Sequence, residues 1–208
     1  MGITAPPSDG PGPHPEPPDD LTDRRLPLQT IGRPSAFIRV YRLDRAELEF
    51  SRSPAGRFNA PGGEYGVLYA GSDPHCAFIE TFGRDLRHRL VAGVELKARA
   101  LARIELRRRL RLVDLSGPGL ATLGADGRLC TGDYAIAQRW SLALWRHPDQ
   151  PDGLLWRSRF DPSRTCVAIY QRAGPPAVTA RPLGGLMDPK HARLLTDLLN
   201  TYQFGLIA

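Results

Sequence analysis

Across residues 36–208, strand-like and helix-like segments follow one another without a strict strand–helix–strand rhythm, and neighbouring strand segments recur as hairpin candidates. A doubly wound parallel sheet needs a crossover, usually a helix, between successive strands, so this order points to an α+β fold. With 208 residues the chain is long enough for one well-buried domain and short for two.

The first strand is expected in "AFIRVYRL", Ala36 to Leu43, on its β-branched and aromatic content, and a second in "GVLYAG", which glycine bounds on both sides. The turn signal Ser72-Asp73-Pro74 then opens a short helix that begins near Asp73, with Pro74 in its first turn and Cys76, Ile79, Glu80 and Gly83 at helical spacing. "ALARIEL" and "LRLVDL" read as a hairpin across Arg107 to Arg109. The longest helix is predicted in "GDYAIAQRWSLALWRHP", Gly132 to Pro148, capped by Asp133 and ended by Pro148. "GLLWRSR" and "TCVAIYQR" supply two more strands around Asp161-Pro162-Ser163. A last amphipathic helix is expected to start from Asp188 as cap and Pro189 as first residue.

Residues 1–34 hold nine of the twenty prolines and few periodic apolar residues, so they are expected to form a disordered tail, with the folded domain spanning 35–208. The net charge of +6 raises nucleic acid as a partner. Only Lys97 and Lys190 are lysine, however, and the one dense basic cluster, Arg107, Arg108, Arg109 and Arg111, reads as a solvated turn. Three widely spaced cysteines, Cys76, Cys130 and Cys166, indicate neither a disulfide framework nor a zinc site and fit a reducing compartment. No signal-like or membrane-spanning window is found, and the chain is read as cytoplasmic.

Several chemistries drop out. "GPGLATLGADG" places its third glycine too late for a dinucleotide fingerprint and lacks Gly-Lys-Ser/Thr. There is no Gly-x-Ser-x-Gly elbow, and the five histidines have no ligand or relay spacing. Arg42, Arg57, Tyr69 and Glu80 remain. The two arginines can equally be surface residues and Tyr69 an edge-of-core aromatic, but Glu80 stands in the apolar turn "CAFIETF", where a carboxylate is costly unless it faces a cleft or a cation.

The ordered series "VYRL", "GRFN" with a Gly-rich turn, "VLYAG", "AFIET", "GDYAIAQ" and "DGLLWRSR" resembles the RES domain family over roughly Phe37 to Arg172. The resemblance implies a split, mixed and largely antiparallel sheet flanked by helices, similar to ADP-ribosyltransferases, and a toxin of a toxin–antitoxin pair that attacks NAD. It further implies that Arg42 and Arg57 are anion-binding arginines, with glycine letting the Arg57 loop approach a pyrophosphate. Tyr69 is the tyrosine that packs against nicotinamide or its ribose, Glu80 the family glutamate, and Ser158 the serine that completes the pocket. Two positions depart from the family: Arg157 stands where a proline often precedes the serine, and Phe58 where tryptophan is common. The hairpin candidate between Glu80 and Gly132 lies outside the best-matching core.

The implied reaction is cleavage of the nicotinamide–ribose bond without a metal, with water or inorganic phosphate as acceptor. Glu80 either stabilises the oxocarbenium-like centre or holds the ribose hydroxyls. One alternative keeps the fold and transfers ADP-ribose to a protein, although Phe78 stands two positions before the glutamate, where arginine-directed transferases carry an acidic or amide residue. Another is a basic RNA-binding module built on the Arg107 to Arg111 turn and Trp140, Trp145 and Trp156. An antitoxin that buries the cleft is the implied protein partner, self-association into a homo-oligomer stays open, and neither membrane nor nucleic acid is expected as a direct partner.

Overall fold

The computed structural model describes residues 12, 14–33 and 35–207. Its elements in chain order begin with β1 (Leu28–Ile31), β2 (Ala36–Arg42), β3 (Val67–Gly71), α1 (Pro74–Phe82), β4 (Leu90–Ala92) and α2 (Gly93–Lys97). There follow β5 (Arg99–Leu106), β6 (Leu110–Asp114), α3 (Pro118–Leu123), α4 (Arg128–Thr131) and α5 (Tyr134–Arg146). The chain closes with β7 (Gly153–Arg157), β8 (Thr165–Tyr170), β9 (Val178–Gly185), α6 (Ala192–Tyr202) and β10 (Gly205–Ile207).

Eight strands form one sheet in the order β1-β6-β7-β8-β3-β2-β5-β9, in which only β6 and β7 run parallel. The architecture is therefore the expected α+β sheet, mixed and largely antiparallel. One face buries Phe37, Leu68, Ala102, Leu112, Val167 and Val178 in a single layer. These residues come from strands near both ends of the order, so the sheet must curl around them, as twisted sheets do. The opposite face carries two separate layers. Phe58, Val67, Trp140 and Trp156 pack with α5, and Ile38, Phe78, Leu101 and Leu198 pack with α1 and α6. Between those layers β2 and β3 are joined at a single pair, Ile38 opposite Gly71. That split is where the site lies.

Three expectations need correction. Residues 14–33 are not a free tail: β1 pairs along its whole length with β6, Leu21 and Leu26 are buried, and Trp140 Nε1 donates to Pro15 O at 2.8 Å. Arg139 also pairs with Glu16. Prolines suppress regular structure here without preventing burial of the intervening leucines. The remainder of that segment, residues 1–11, 13 and 34, lies outside the described residues. Secondly, β5 and β6 are not a hairpin. Arg107 to Arg109 carry the chain past the curled core, leaving β5 between β2 and β9 and β6 between β1 and β7. Thirdly, the last helix begins at Ala192 after a 3-10 turn over Pro189–His191, because the Asp188 carboxylate accepts from Gly185 N rather than capping the helix.

Candidate active site

Glu80 reaches the split because of how α1 starts. The Asp73 side chain accepts from Cys76 N at 2.8 Å and Pro74 occupies the first helical position, so the helix begins where β3 ends. Its inner face buries Phe78 and Ile79, and the next face presents Ala77, Glu80 and Thr81 to the cleft. The turn after β7 then delivers Ser158, only 1% exposed, whose Oγ donates to Glu80 Oε1 at 2.6 Å. That Oγ itself accepts from Phe160 N (3.2 Å) and Asp161 N (3.1 Å), which fixes the hydroxyl and polarises it toward the carboxylate. Ser158 thus lies behind Glu80 and does not line the cavity.

Opposite, the "GRFN" loop is clamped from two sides. Gln138 on α5 donates through Nε2 to Pro54 O (2.6 Å) and Gly56 O (3.0 Å). Asn59 Nδ2 donates to Ser53 O at 2.5 Å, while the Tyr69 hydroxyl donates to Asn59 Oδ1 (2.8 Å) and accepts from Phe58 N (2.8 Å). The clamp holds Arg57, 8% exposed, with Nη1 donating to Gly132 O at 2.7 Å and its guanidinium 4.4 Å above the Tyr134 ring. Arg57 has no carboxylate partner among the described residues. Burial lowers its affinity for its proton, yet an arginine stays charged, so a poorly solvated cation faces the cavity.

The cleft between these elements has a volume of about 570 Å³. Arg39, Arg57, Arg84, Arg99 and Arg159 line it against one carboxylate, Glu80. Arg39 donates to Tyr69 O at 3.2 Å, and burial lowers its proton affinity too. Arg39 Nε and Arg99 Nη1 are buried without a hydrogen-bond partner among the described residues. Such donors are expensive unless something anionic meets them. Among the described residues no group of three or more histidines, cysteines or acids could hold a metal.

The structure brings Arg57, Tyr69 and Glu80 to one cleft and sets Ser158 directly behind it. Arg42 does not join them. Its guanidinium bonds to Asp44 at 3.0 Å in a half-exposed pair outside the cavity. The cleft opens at residues 38–40, where β2 leaves β3; Arg42 lies two residues past Val40 and opposite Arg99, but its side chain turns to Asp44 instead of lining the cavity. Arg39 is the first-strand arginine at the site. Tyr69 lines the cavity but differs from expectation: its hydroxyl is spent on Phe58 and Asn59, and burial pushes its phenol well above the usual range. Sequence reasoning missed Arg39, Arg99, Arg159 and Tyr134. The one available signal was the motif "GDYAIAQ", which supplies both Tyr134 and Gln138.

A family model described as "RES domain" matches residues 38–195, three quarters of the chain. Among curated proteins, the chain is 28% identical over 106 residues to "Probable toxin y4kH" of Sinorhizobium fredii, covering 50% of this chain and 82% of that protein. Among solved structures, a chain of the MbcT–MbcA toxin–antitoxin complex of M. tuberculosis superposes with a TM-score of 0.66 at 19% identity, over 87% of this chain and 97% of that one. At that identity the superposition speaks for the shared fold.

Proposed function

This chain belongs to the RES domain family, and on that premise we propose that its cleft binds NAD and cleaves the bond between nicotinamide and ribose. The observation that carries the reading is the Glu80 carboxylate, fixed at 2.6 Å by Ser158 in a cleft whose other charged lining residues are arginines. Leaving-group departure moves the positive charge of the pyridinium onto the sugar. A fixed carboxylate stabilises that charge without reorganising. Ser158 occupies Oε1 and so leaves Oε2 as the oxygen free to face the sugar or its hydroxyls.

The diphosphate needs cations and directed donors. Arg57 and the under-satisfied Arg39 offer both, and holding the two phosphates converts bond cleavage into an oriented, unimolecular step. Tyr69 then acts mainly as the support of the Arg57 loop, with its ring and Trp156 as apolar wall. The acceptor is a small molecule, water or inorganic phosphate. Phe78, two residues before Glu80, is fully buried against Phe82, Tyr202 and Phe204, so no side chain at that position is available to recruit a protein acceptor. The RNA-binding reading loses its stacking platform: Trp140 and Trp156 are buried, Trp145 stacks on Tyr65, and Arg108 is engaged by Asp152.

The names of its relatives, a probable toxin and a toxin–antitoxin complex, support a toxin role here with a separate antitoxin as partner. Such a toxin works in the cytoplasm, where NAD is available. No helix among the described residues is long and apolar enough to cross a membrane. The test is product analysis of NAD incubated with purified protein, with and without inorganic phosphate. Free nicotinamide is expected in either or both conditions, and a phosphorylated ADP-ribose made only with phosphate identifies the acceptor. Intact NAD beside a folded protein free of antitoxin contradicts the proposal.

A further inference from the structure

Two thiols that the proposed reaction leaves unused meet in the wall of the cleft. Cys76, on the first turn of α1, and Cys166, on β8, have their sulfurs 3.5 Å apart. Cys166 is 2% exposed and lines the cavity, whereas Cys76 is fully buried behind it and donates to Thr165 O at 3.3 Å. The approach is enforced by Gly71, which faces Cys166 across the β3–β8 ladder. A side chain on Gly71 would come within 2.7 Å of Cys76 Cβ. Bond formation requires the sulfurs to close from 3.5 Å to about 2.05 Å. The third thiol, Cys130, lies elsewhere in the cleft and donates to Leu115 O at 4.0 Å.

We propose that Cys76 and Cys166 form an oxidisable dithiol, closed to a disulfide by a peroxide small enough to enter the cleft, and that closure disables Glu80. Cys166 meets the peroxide first. Its sulfur attacks one oxygen, the O–O bond breaks, and the thiol proton goes to the leaving hydroxide as water, leaving a sulfenic acid. Cys76 then attacks that sulfur, the S–O bond breaks, and a second water departs with the Cys76 proton. Two thiols are oxidised to one disulfide and one peroxide is reduced to two waters. The Cys76 hydrogen bond and burial hold Cys166 protonated, so the first step is slow and answers to sustained oxidant rather than to traces. The consequence reaches Glu80 because it stands one helical turn after Cys76 on the same face of α1. Pulling that turn toward β8 shifts the carboxylate from its Ser158 bond.

The effect on turnover rests on the proposed NAD cleavage, while formation of the bond does not. The full chain is treated with hydrogen peroxide, denatured, alkylated and digested for mass analysis. The expected result is a Cys76–Cys166 linked peptide lacking two hydrogens, with Cys130 alkylated. NAD turnover is expected to fall about tenfold or more, since a misplacement of about 1 Å can cost on the order of a hundredfold, and dithiothreitol is expected to restore it. Cys76→Ser is expected to lose the reversible inhibition. Full alkylation of all three cysteines after treatment, or oxidation of Cys166 without a link to Cys76, overturns the dithiol. A linked protein with unchanged turnover overturns its coupling to Glu80. A linked protein whose reduced form leaves NAD untouched supports the dithiol and rejects the NAD reading.

Discussion

Replacing Gly56 by alanine tests whether the loop clamp is what makes Arg57 useful. The backbone at Gly56 is not left-handed, so the objection to a side chain is space alone. A methyl group there would lie 2.3 Å from Asn59 Oδ1 and 2.9 Å from the Tyr69 hydroxyl oxygen. Asn59 must retreat by about 1 Å to reach ordinary contact, which breaks the Tyr69–Asn59 bond and strains the one to Ser53 O. Each part-buried polar group left unsatisfied costs about 1–3 kcal/mol, so Gly56→Ala is expected to lose about 2–5 kcal/mol. For a chain of this size that lowers the melting temperature by roughly 5–15 °C. If the loop loosens while the core holds, the loss appears instead as a raised KM for NAD with kcat less affected, because binding by Arg57 suffers before the chemistry does. Calorimetry and NAD kinetics on the same preparation separate the two. An alanine variant with unchanged melting temperature and unchanged KM refutes the clamp.

Ser158→Ala removes the donor to Glu80 and strands Phe160 N and Asp161 N; loss of a charge-assisted bond costs about 1.5–3 kcal/mol, so kcat is expected to drop about 10- to 150-fold, and an unchanged kcat rejects the positioning role. Leu26→Ala is expected to destabilise by about 2–5 kcal/mol in denaturant unfolding because Leu26 is buried in the layer beneath α5; a change under about 0.5 kcal/mol means the N-terminal arm carries no stability. Asp161 is bonded by Ser163, Tyr202 and Arg164, which hold its carboxyl down to about 2 from its usual 3.8. The folded state therefore binds fewer protons in that range, so its contribution is intact above about pH 4 and lost as pH falls toward 2. Asp161→Asn is expected to flatten that acid limb in melting curves taken from pH 5 to 2, and an identical limb in wild type and variant contradicts the linkage.

Local signals carried much of the architecture. The caps Asp73 and Asp133, the breaks at Pro74 and Pro148 and the turn at Asp161-Pro162-Ser163 are short-range features, and the elements they bound were legible before any coordinates. Pairing between distant strands was not. Nothing within "ALARIELRRRLRLVDL" says that its halves part to positions far apart in the sheet, since alternation reports a buried face and not a neighbour. Strand β9 was hidden by Pro182 and two glycines, which an edge strand carrying its own bulge at Leu183 tolerates. The leucines of the N-terminal arm follow no helical or strand period, so proline density outweighed them. The same limit applies at the site. Arg57, Tyr69 and Glu80 sit in distinctive local motifs, but choosing between Arg39 and Arg42 depends on where β2 separates from β3, which is a tertiary fact.

In the proposed reaction Glu80 supplies the electrostatic stabilisation for breaking the nicotinamide–ribose bond. The most direct test of that role is release of nicotinamide from NAD by the wild type and by Glu80→Gln, with NAD binding measured on both by calorimetry. The expected result is near-equal binding, since the arginines are intact, with kcat lowered by about a hundredfold or more in the glutamine variant. Equal turnover by the two proteins contradicts the account.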